Sequence, residues 1–340
     1  MTHDTTMDSF GVDRRSFLKH AAAGLGLLVM ASPARAAQMI QKRLLALPAR
    51  DTPFITPNEQ FYNVQYSGPQ TVDVATWTLT VAGGARPLRL RYEEILKRPA
   101  IERMVTLQCI DNEVAGELIS NAVWKGISLR ALLTEVGVRP DAVDVVFHGA
   151  DLYSDGITLD RAMNYDVFLA YAMNGKTLPV KNGYPLRAVV PGIYGIKSVK
   201  WLTKIEVVAH DNLGYWQKKG WTDDGDIKVS SRIDAPGPYN TKRGETTFRG
   251  IAFGGYNGVR AVDLSFDGGK QWRAAKLDPT PSRYSWVIWR YKWKPPAAGA
   301  YPVAVRATNG LGETQTDFIA RAFPDGTSGL HTIVTFAEMS

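Results

Sequence analysis

The chain has one cysteine, Cys109, among its 340 residues. A single thiol excludes an internal disulfide, and it excludes the several thiolates that an iron–sulfur cluster requires. No Cys-x-x-Cys-His run is present, so no haem is attached in the c-type manner. Histidine is almost as scarce. Beyond residue 36 the only histidines are His148, His210 and His331. They are far apart, which argues against zinc or mononuclear iron held by imidazoles, and each reads as a surface or capped side chain. Past the N-terminal segment, no apolar run reaches the roughly 18 residues of a membrane-spanning helix. Blocks of like charge are also missing. The formal charge is +7, but lysine and arginine are dispersed, so nucleic-acid binding is not indicated. The basic excess reads either as a solvated surface or as a pocket for an anion.

What is present begins with a targeting pattern. Asp13-Arg14-Arg15-Ser16-Phe17-Leu18-Lys19 is a twin-arginine run, followed by an apolar stretch over 21–31 and by Ala34-Arg35-Ala36, an A-x-A cleavage site. In that order the three parts predict an export signal over 1–36 and a mature periplasmic protein that meets the membrane only during export. The twin-arginine route carries proteins that have already folded, which suits a cofactor inserted before export.

The composition is that of an ordinary globular protein, 45% apolar and 21% charged, with nine tryptophans and fourteen tyrosines to fill sizeable cores. The length predicts two domains. Residues 37–57, with Pro48, Pro53 and Pro57, read as an extended lead-in. Residues 58–235 mix short strand patterns (77–81, 142–147, 186–190, 204–208) with short helical ones (92–96, 128–133), an α+β domain. The stretch 222–245, polar and containing Pro236-Gly237-Pro238, reads as a linker. From there to residue 340 the strand patterns 246–250, 259–266, 272–277, 285–293 and 301–308, separated by turns such as Asp267-Gly268-Gly269, predict an all-β sandwich.

Chemistry concentrates in the first domain. Cys109 closes a strand-like run, Val105-Thr106-Leu107-Gln108, and opens the polar loop Ile110-Asp111-Asn112-Glu113. A thiol at a strand-to-loop exit is well placed for a site, although a buried, inert thiol has the same local pattern. Arg187, Lys197 and Lys200 surround a Pro191-Gly192 and Tyr194-Gly195 loop. Glycines admit close backbone approach and the cations supply donors for a phosphate, unless they form a solvated face. Trp124 and Trp201 read as core. If a metal is bound, the protein offers one soft thiolate and something else supplies the remaining ligands.

Taken in order, Thr56-Pro57-Asn58-Glu59-Gln60-Phe61-Tyr62, the Cys109 segment with Asn121-Ala122-Val123-Trp124-Lys125-Gly126, the 169–179 run, Asn182-Gly183-Tyr184-Pro185-Leu186-Arg187, and Ser198-Val199-Lys200-Trp201-Leu202 resemble the sulfite oxidase family. Ser265-Phe266-Asp267-Gly268-Gly269-Lys270-Gln271-Trp272 is similar to a hairpin of that family's immunoglobulin-like dimerisation domain. The resemblance implies an α+β molybdopterin-binding domain over 58–235, an immunoglobulin-like sandwich over 236–340, and a homodimer. It implies one molybdenum on one molybdopterin, with Cys109 as the protein's metal ligand and catalytic centre. Tyr62, Asn63, Asn182, Arg187, Lys197, Ser198 and Lys200 are the implied pterin contacts. The implied activity is two-electron oxygen-atom transfer on sulfite or a related small sulfur compound, with electrons passed to a separate c-type cytochrome.

The departures bear on substrate. Sulfite-oxidising members carry an arginine in the first motif, where this chain reads Phe61-Tyr62-Asn63-Val64-Gln65-Tyr66. They carry another after the cysteine, where it reads Asp111-Asn112-Glu113-Val114-Ala115. Arginine forks are natural receptors for a small dianion. The family's active-site tyrosine falls at Gly220-Trp221-Thr222, which makes Trp221 a candidate wall of the catalytic pocket. Reduction of an S-oxide or N-oxide on the same fold therefore stands as an alternative, as does a periplasmic binding module without cofactor.

Overall fold

The computed structural model describes residues 49–338, except the side chains of 241–243. The twin-arginine pattern, the cleavage site and most of the lead-in lie outside the described residues.

Two sheets form the first half. One has the order Leu88–Arg91, Thr78–Ala82, Leu202–Val208, Asp144–Gly149, Ser154–Thr158. In it only Thr78–Ala82 and Leu202–Val208 run parallel. Its inward side chains, among them Leu79, Val81, Val145, Phe147, Ile205 and Val207, join Leu129, Leu132, Leu133 and Val136 of the helix Leu129–Val136 in the largest core. That helix starts where Ser128 accepts the Ala131 N–H and stops at Gly137, whose φ of 72° is left-handed. The second sheet pairs Ala100–Gln108 with Ile119–Ser128, then Phe168–Met173, which also receives Lys176–Thr177 and Arg187–Val189.

Along Ala100–Gln108, side chains alternate between faces. Val105 and Leu107 pack on Phe61, Trp124 and Phe168. Thr106 turns the other way: its backbone N–H reaches the Tyr284 carbonyl at 2.8 Å and its hydroxyl accepts the Trp286 N–H at 2.8 Å. The same alternation sends Gln108 toward the second half of the chain and Cys109 toward the first.

The second half is two facing sheets, Ser230–Ala235, Thr246–Phe253, Val287–Trp293, Lys276–Leu277 and Thr241–Arg243, His331–Glu338, Gly299–Asn309, Val259–Ser265, Arg273–Ala274. Phe248, Trp289, Trp293, Val303, Val305 and Ile333 fill the space between them. The α+β architecture followed by a β-sandwich is as the sequence predicts. The stretch read as a linker is different: Ser230–Ala235 is a strand of the sandwich, paired with Thr246–Phe253. Its charges are interior. Arg232 Nε donates to Asp234 Oδ1 at 2.7 Å, Nη1 to the Gly116 carbonyl and Nη2 to Thr52 Oγ1 at 3.0 Å.

Residues 49–56 run across the second sheet, the loop after Cys109 and the sandwich. Arg50 donates its backbone N–H to the Asp234 carbonyl, its Nη1 to the Ala115 carbonyl at 2.8 Å and its Nε to Glu117. Thr56 and Asn121 exchange bonds, and Asn121 Nδ2 and Trp286 Nε1 both donate to the Phe54 carbonyl. His331, expected at the surface or as a capped residue, is 1% exposed and caps from inside: its Nδ1 accepts the Ile233 N–H at 2.9 Å.

Candidate active site around Cys109

The Cys109 backbone N–H continues the strand ladder to the Leu118 carbonyl at 2.8 Å, and its carbonyl accepts the Asn112 N–H at 3.1 Å. The chain thus turns sharply after the thiol. Asn112 Oδ1 accepts the Leu118 N–H at 2.8 Å and closes the loop. The thiol is buried and takes backbone N–H bonds from Ile110 and Asp111; burial pushes its pKa up to about 12. Three buried phenols stand near it, Tyr62, Tyr153 and Tyr194, each raised by burial; Asp155 raises Tyr153 further and Asp325 raises Tyr194. Tyr62 reaches this position because residue 195 is glycine. A Cβ there would stand 2.7 Å from Tyr62 Oη and 3.5 Å from the Gln108 carbonyl.

The predicted cofactor residues line two sides of this centre. On one side, Arg187 lies behind Tyr62 and above the Trp124 ring, 5.1 Å from its centroid. Its Nη1 donates to the Asn182 carbonyl at 2.9 Å and its Nη2 to the Ser198 carbonyl at 3.1 Å; burial lowers its pKa to about 10. Ser198 Oγ accepts the Val190 N–H. Lys200 Nζ donates to Asn63 Oδ1 at 2.6 Å and Gln65 Oε1 at 3.1 Å, and burial, then Arg187, lower its pKa to about 7. On the other side, Lys197 is committed within the protein. Its Nζ donates to Asp155 Oδ1 at 3.2 Å, the Gly156 carbonyl at 2.8 Å and Asp223 Oδ1 at 2.7 Å. Trp221 packs edge-on to Phe323 and joins the cluster of Ile110 and Tyr194, so it flanks the thiol's loop.

Sequence reasoning missed Tyr153 and Asp155. The Tyr153 hydroxyl lies 2.8 Å from the Ile196 carbonyl and 3.0 Å from Asp155 Oδ2. Asp155 is wholly buried, and Gly214 leaves room for it: a Cβ there would stand 2.6 Å from its carboxyl. The one available signal was an acid within the strand Ser154–Thr158, a position that needs a partner if buried.

The family described as oxidoreductase molybdopterin binding domain matches residues 66–216. Sulfite oxidase of Gallus gallus is 32% identical, the match taking in 78% of this chain and 69% of that protein. This chain belongs to the sulfite oxidase family. Mitochondrial sulfite oxidase of Homo sapiens is also 32% identical, over 80% of this chain, and there the chain spans little more than half of the relative's length, 56%. The crystal structure of sulfane dehydrogenase SoxCD from Paracoccus pantotrophus superposes with a TM-score of 0.74 at 22% identity, covering 87% of this chain and 86% of that one, and shows the same fold.

The family's cofactor is molybdenum on molybdopterin, and the residues present fit it. Among the described residues no group of three or more His, Cys, Asp or Glu side chains gathers as a metal site, so a metal here needs ligands from a cofactor beside the lone thiolate. Buried amide atoms await partners among these residues: Asn182 Oδ1 beside Arg187, and both polar atoms of Gln217, which packs with Asp155 around Gly214. Orphaned buried groups cost about 1–3 kcal/mol each, and a polar heterocycle such as a pterin supplies matching donors and acceptors. Metal binding at Cys109 must displace the thiol proton.

Proposed function

We propose that the mature protein is a periplasmic oxidoreductase that transfers an oxygen atom to or from a small sulfur compound, with sulfite the first substrate to test. One observation carries this reading: the chain's single thiol is buried at a strand exit within the matched domain. The molybdenum–pterin group, when bound, supplies two-electron oxygen-atom chemistry. Cys109 would hold the metal. Tyr62, Asn63, Asn182, Arg187, Ser198 and Lys200 would orient the pterin, while Lys197 keeps Asp155 and Tyr153 in place. Trp221 would wall the pocket. Electrons leave to a separate carrier, a c-type cytochrome by resemblance, and the sandwich pairs two copies, which sedimentation of the mature protein would read as a dimer.

One observation favours an uncharged substrate such as an S-oxide. The acid beside the Cys109 thiol is Asp111, itself raised by burial and by Glu113. Three cations of the surroundings are paired with acids, Lys197 with two aspartates, Lys228 with Asp325 and Arg232 with Asp234, and Arg187 is spent on the Asn182 and Ser198 carbonyls. A dianion would enter against a carboxylate.

The test is metal content by mass spectrometry on exported protein, beside sulfite-dependent reduction of ferricyanide. About one molybdenum per chain with sulfite turnover supports the sulfite reading. Molybdenum without sulfite turnover, but with reoxidation of the reduced enzyme by an S-oxide, supports the second. A chain without molybdenum refutes both. Cys109→Ser should lose the metal and all turnover while keeping its circular dichroism spectrum.

A further inference from the structure

A buried redox centre needs a way out, and an aromatic series leads from the thiol's surroundings to water. Tyr153, whose hydroxyl donates to the carbonyl of Ile196 in the cluster that holds Ile110 beside Cys109, lies 6.0 Å from Tyr66, centroid to centroid. Tyr66 meets Tyr215 edge-on at 4.8 Å, and Tyr215 meets Trp216 at 5.0 Å. Tyr153 is 9% exposed, and the two tyrosines beyond it both open to water, Tyr66 at 45% and Tyr215 at 37%. Val64 and Leu213, on the same two loops, are 38% and 41% exposed. Large apolar side chains gathered in water commonly mark an interaction surface. Lysines rim this one. Lys218 and Lys219 are exposed, Lys219 Nζ stands 5.8 Å above the Tyr215 ring, and Lys200 anchors the loop that carries Tyr66 through Asn63 and Gln65.

We propose that Val64, Tyr66, Leu213, Tyr215, Lys218 and Lys219 form the dock of the electron-accepting protein, a one-electron carrier with an acidic rim around its exposed redox edge, and that the Tyr153–Tyr66–Tyr215 series is the tunnelling route to it. This rests on the proposed oxidoreductase function in its oxidising direction, in which electrons leave the enzyme. An apolar centre for contact and a charged rim for steering suit a small, transient interface. The lysine rim selects an acidic partner and disfavours a second copy of this chain, which would bring like charges together. The electron count closes. Transfer of a water-derived oxygen to the substrate releases two electrons and two protons, and two oxidised carriers are each reduced by one electron per turnover. The rings stay closed-shell throughout; their contacts shorten the gaps an electron crosses.

The test uses molybdenum-loaded protein, its metal content measured first, reduced with dithionite and mixed in a stopped-flow instrument with oxidised plastocyanin, an acidic copper carrier. The small dye dichlorophenolindophenol serves as the control acceptor. Reoxidation by plastocyanin should slow as salt rises, and Lys218→Glu with Lys219→Glu should lower its second-order rate constant about tenfold at low salt while the dye rate holds. Tyr66→Ala with Tyr215→Ala should lower the limiting rate at saturating carrier, and the corresponding Phe variants should restore it. Parent-like plastocyanin rates in the lysine variants, or faster reoxidation by a basic cytochrome c at low salt, would overturn the dock alone. A chain without molybdenum overturns the dock together with the oxidoreductase reading.

Discussion

Replacing Lys197 by methionine separates a structural lysine from an anion-binding one. Its ammonium and the Asp155 carboxylate are 3.2 Å apart, with side chains 3% and 0% exposed. At an effective dielectric constant of about 20, a pair at that distance attracts by roughly 5 kcal/mol, most of which offsets the cost of removing both charges from water. Deleting one partner leaves the other buried and uncompensated, and the expected loss is about 3–5 kcal/mol. The second partner, Asp223, is 40% exposed and screened by water, so it adds little. The assay is urea unfolding of the parent, Lys197→Met, Asp155→Asn and the double variant, analysed as a double-mutant cycle. In the double variant the uncompensated charge is gone, and stability should return to within about 2 kcal/mol of the parent. The reasoning fails if Lys197→Met unfolds at the parent's urea midpoint, or if the two single losses simply add. A lysine kept only to grip a pterin phosphate would show the first of those patterns.

His331 gives a pH dependence with a definite sign. Burial first, then Arg50 and Arg232, lower its pKa to about 3 from the ordinary 6.5. Between those values the unfolded chain binds a proton that the folded protein refuses, so stability falls as pH drops from about 6.5 toward 3, by up to about 1.4 kcal/mol per pH unit. Urea midpoints at several pH values should flatten in His331→Gln, and an unchanged slope would count against the assignment. Arg232→Met leaves Asp234 buried and frees the Gly116 carbonyl. It should cost about 3 kcal/mol and speed amide exchange around the Cys109 loop; a protection pattern like the parent's would show that the arginine does not hold that loop.

The parts of the molecule that alternate cleanly were readable in advance. Thr78–Ala82, Leu202–Val208 and most of the sandwich strands put apolar side chains inside and polar ones outside. The strand Ser230–Ala235 defeats that rule, because Arg232 and Asp234 are interior and paired with each other. Its polarity reads as a linker until the partners are seen. Cys109 was legible because it is alone. The roles of Arg187 and Lys197 were only half legible: that they gather near the thiol follows from their loop, but that Lys197 faces Asp155 and Asp223, 42 and 26 residues away, is long-range information. Tyr153 and Asp155 left only a faint signal, an acid within a short strand, which resembles any exposed one.

The clamp formed by residues 49–56 and Arg232 has a consequence in time. The carbonyls of Ala115 and Gly116, in the thiol's loop, are held by Arg50 and Arg232. Arg232 belongs to a strand whose Ile233 N–H is held by His331. During synthesis, residue 331 emerges more than two hundred residues after the cysteine it helps to position. A ribosome-bound chain halted before His331 should leave the Cys109 loop open to protease, and a protected loop there would contradict the sequence of events. The thiol's final setting therefore belongs to the finished polypeptide, and a cofactor that depends on that setting would be received after translation.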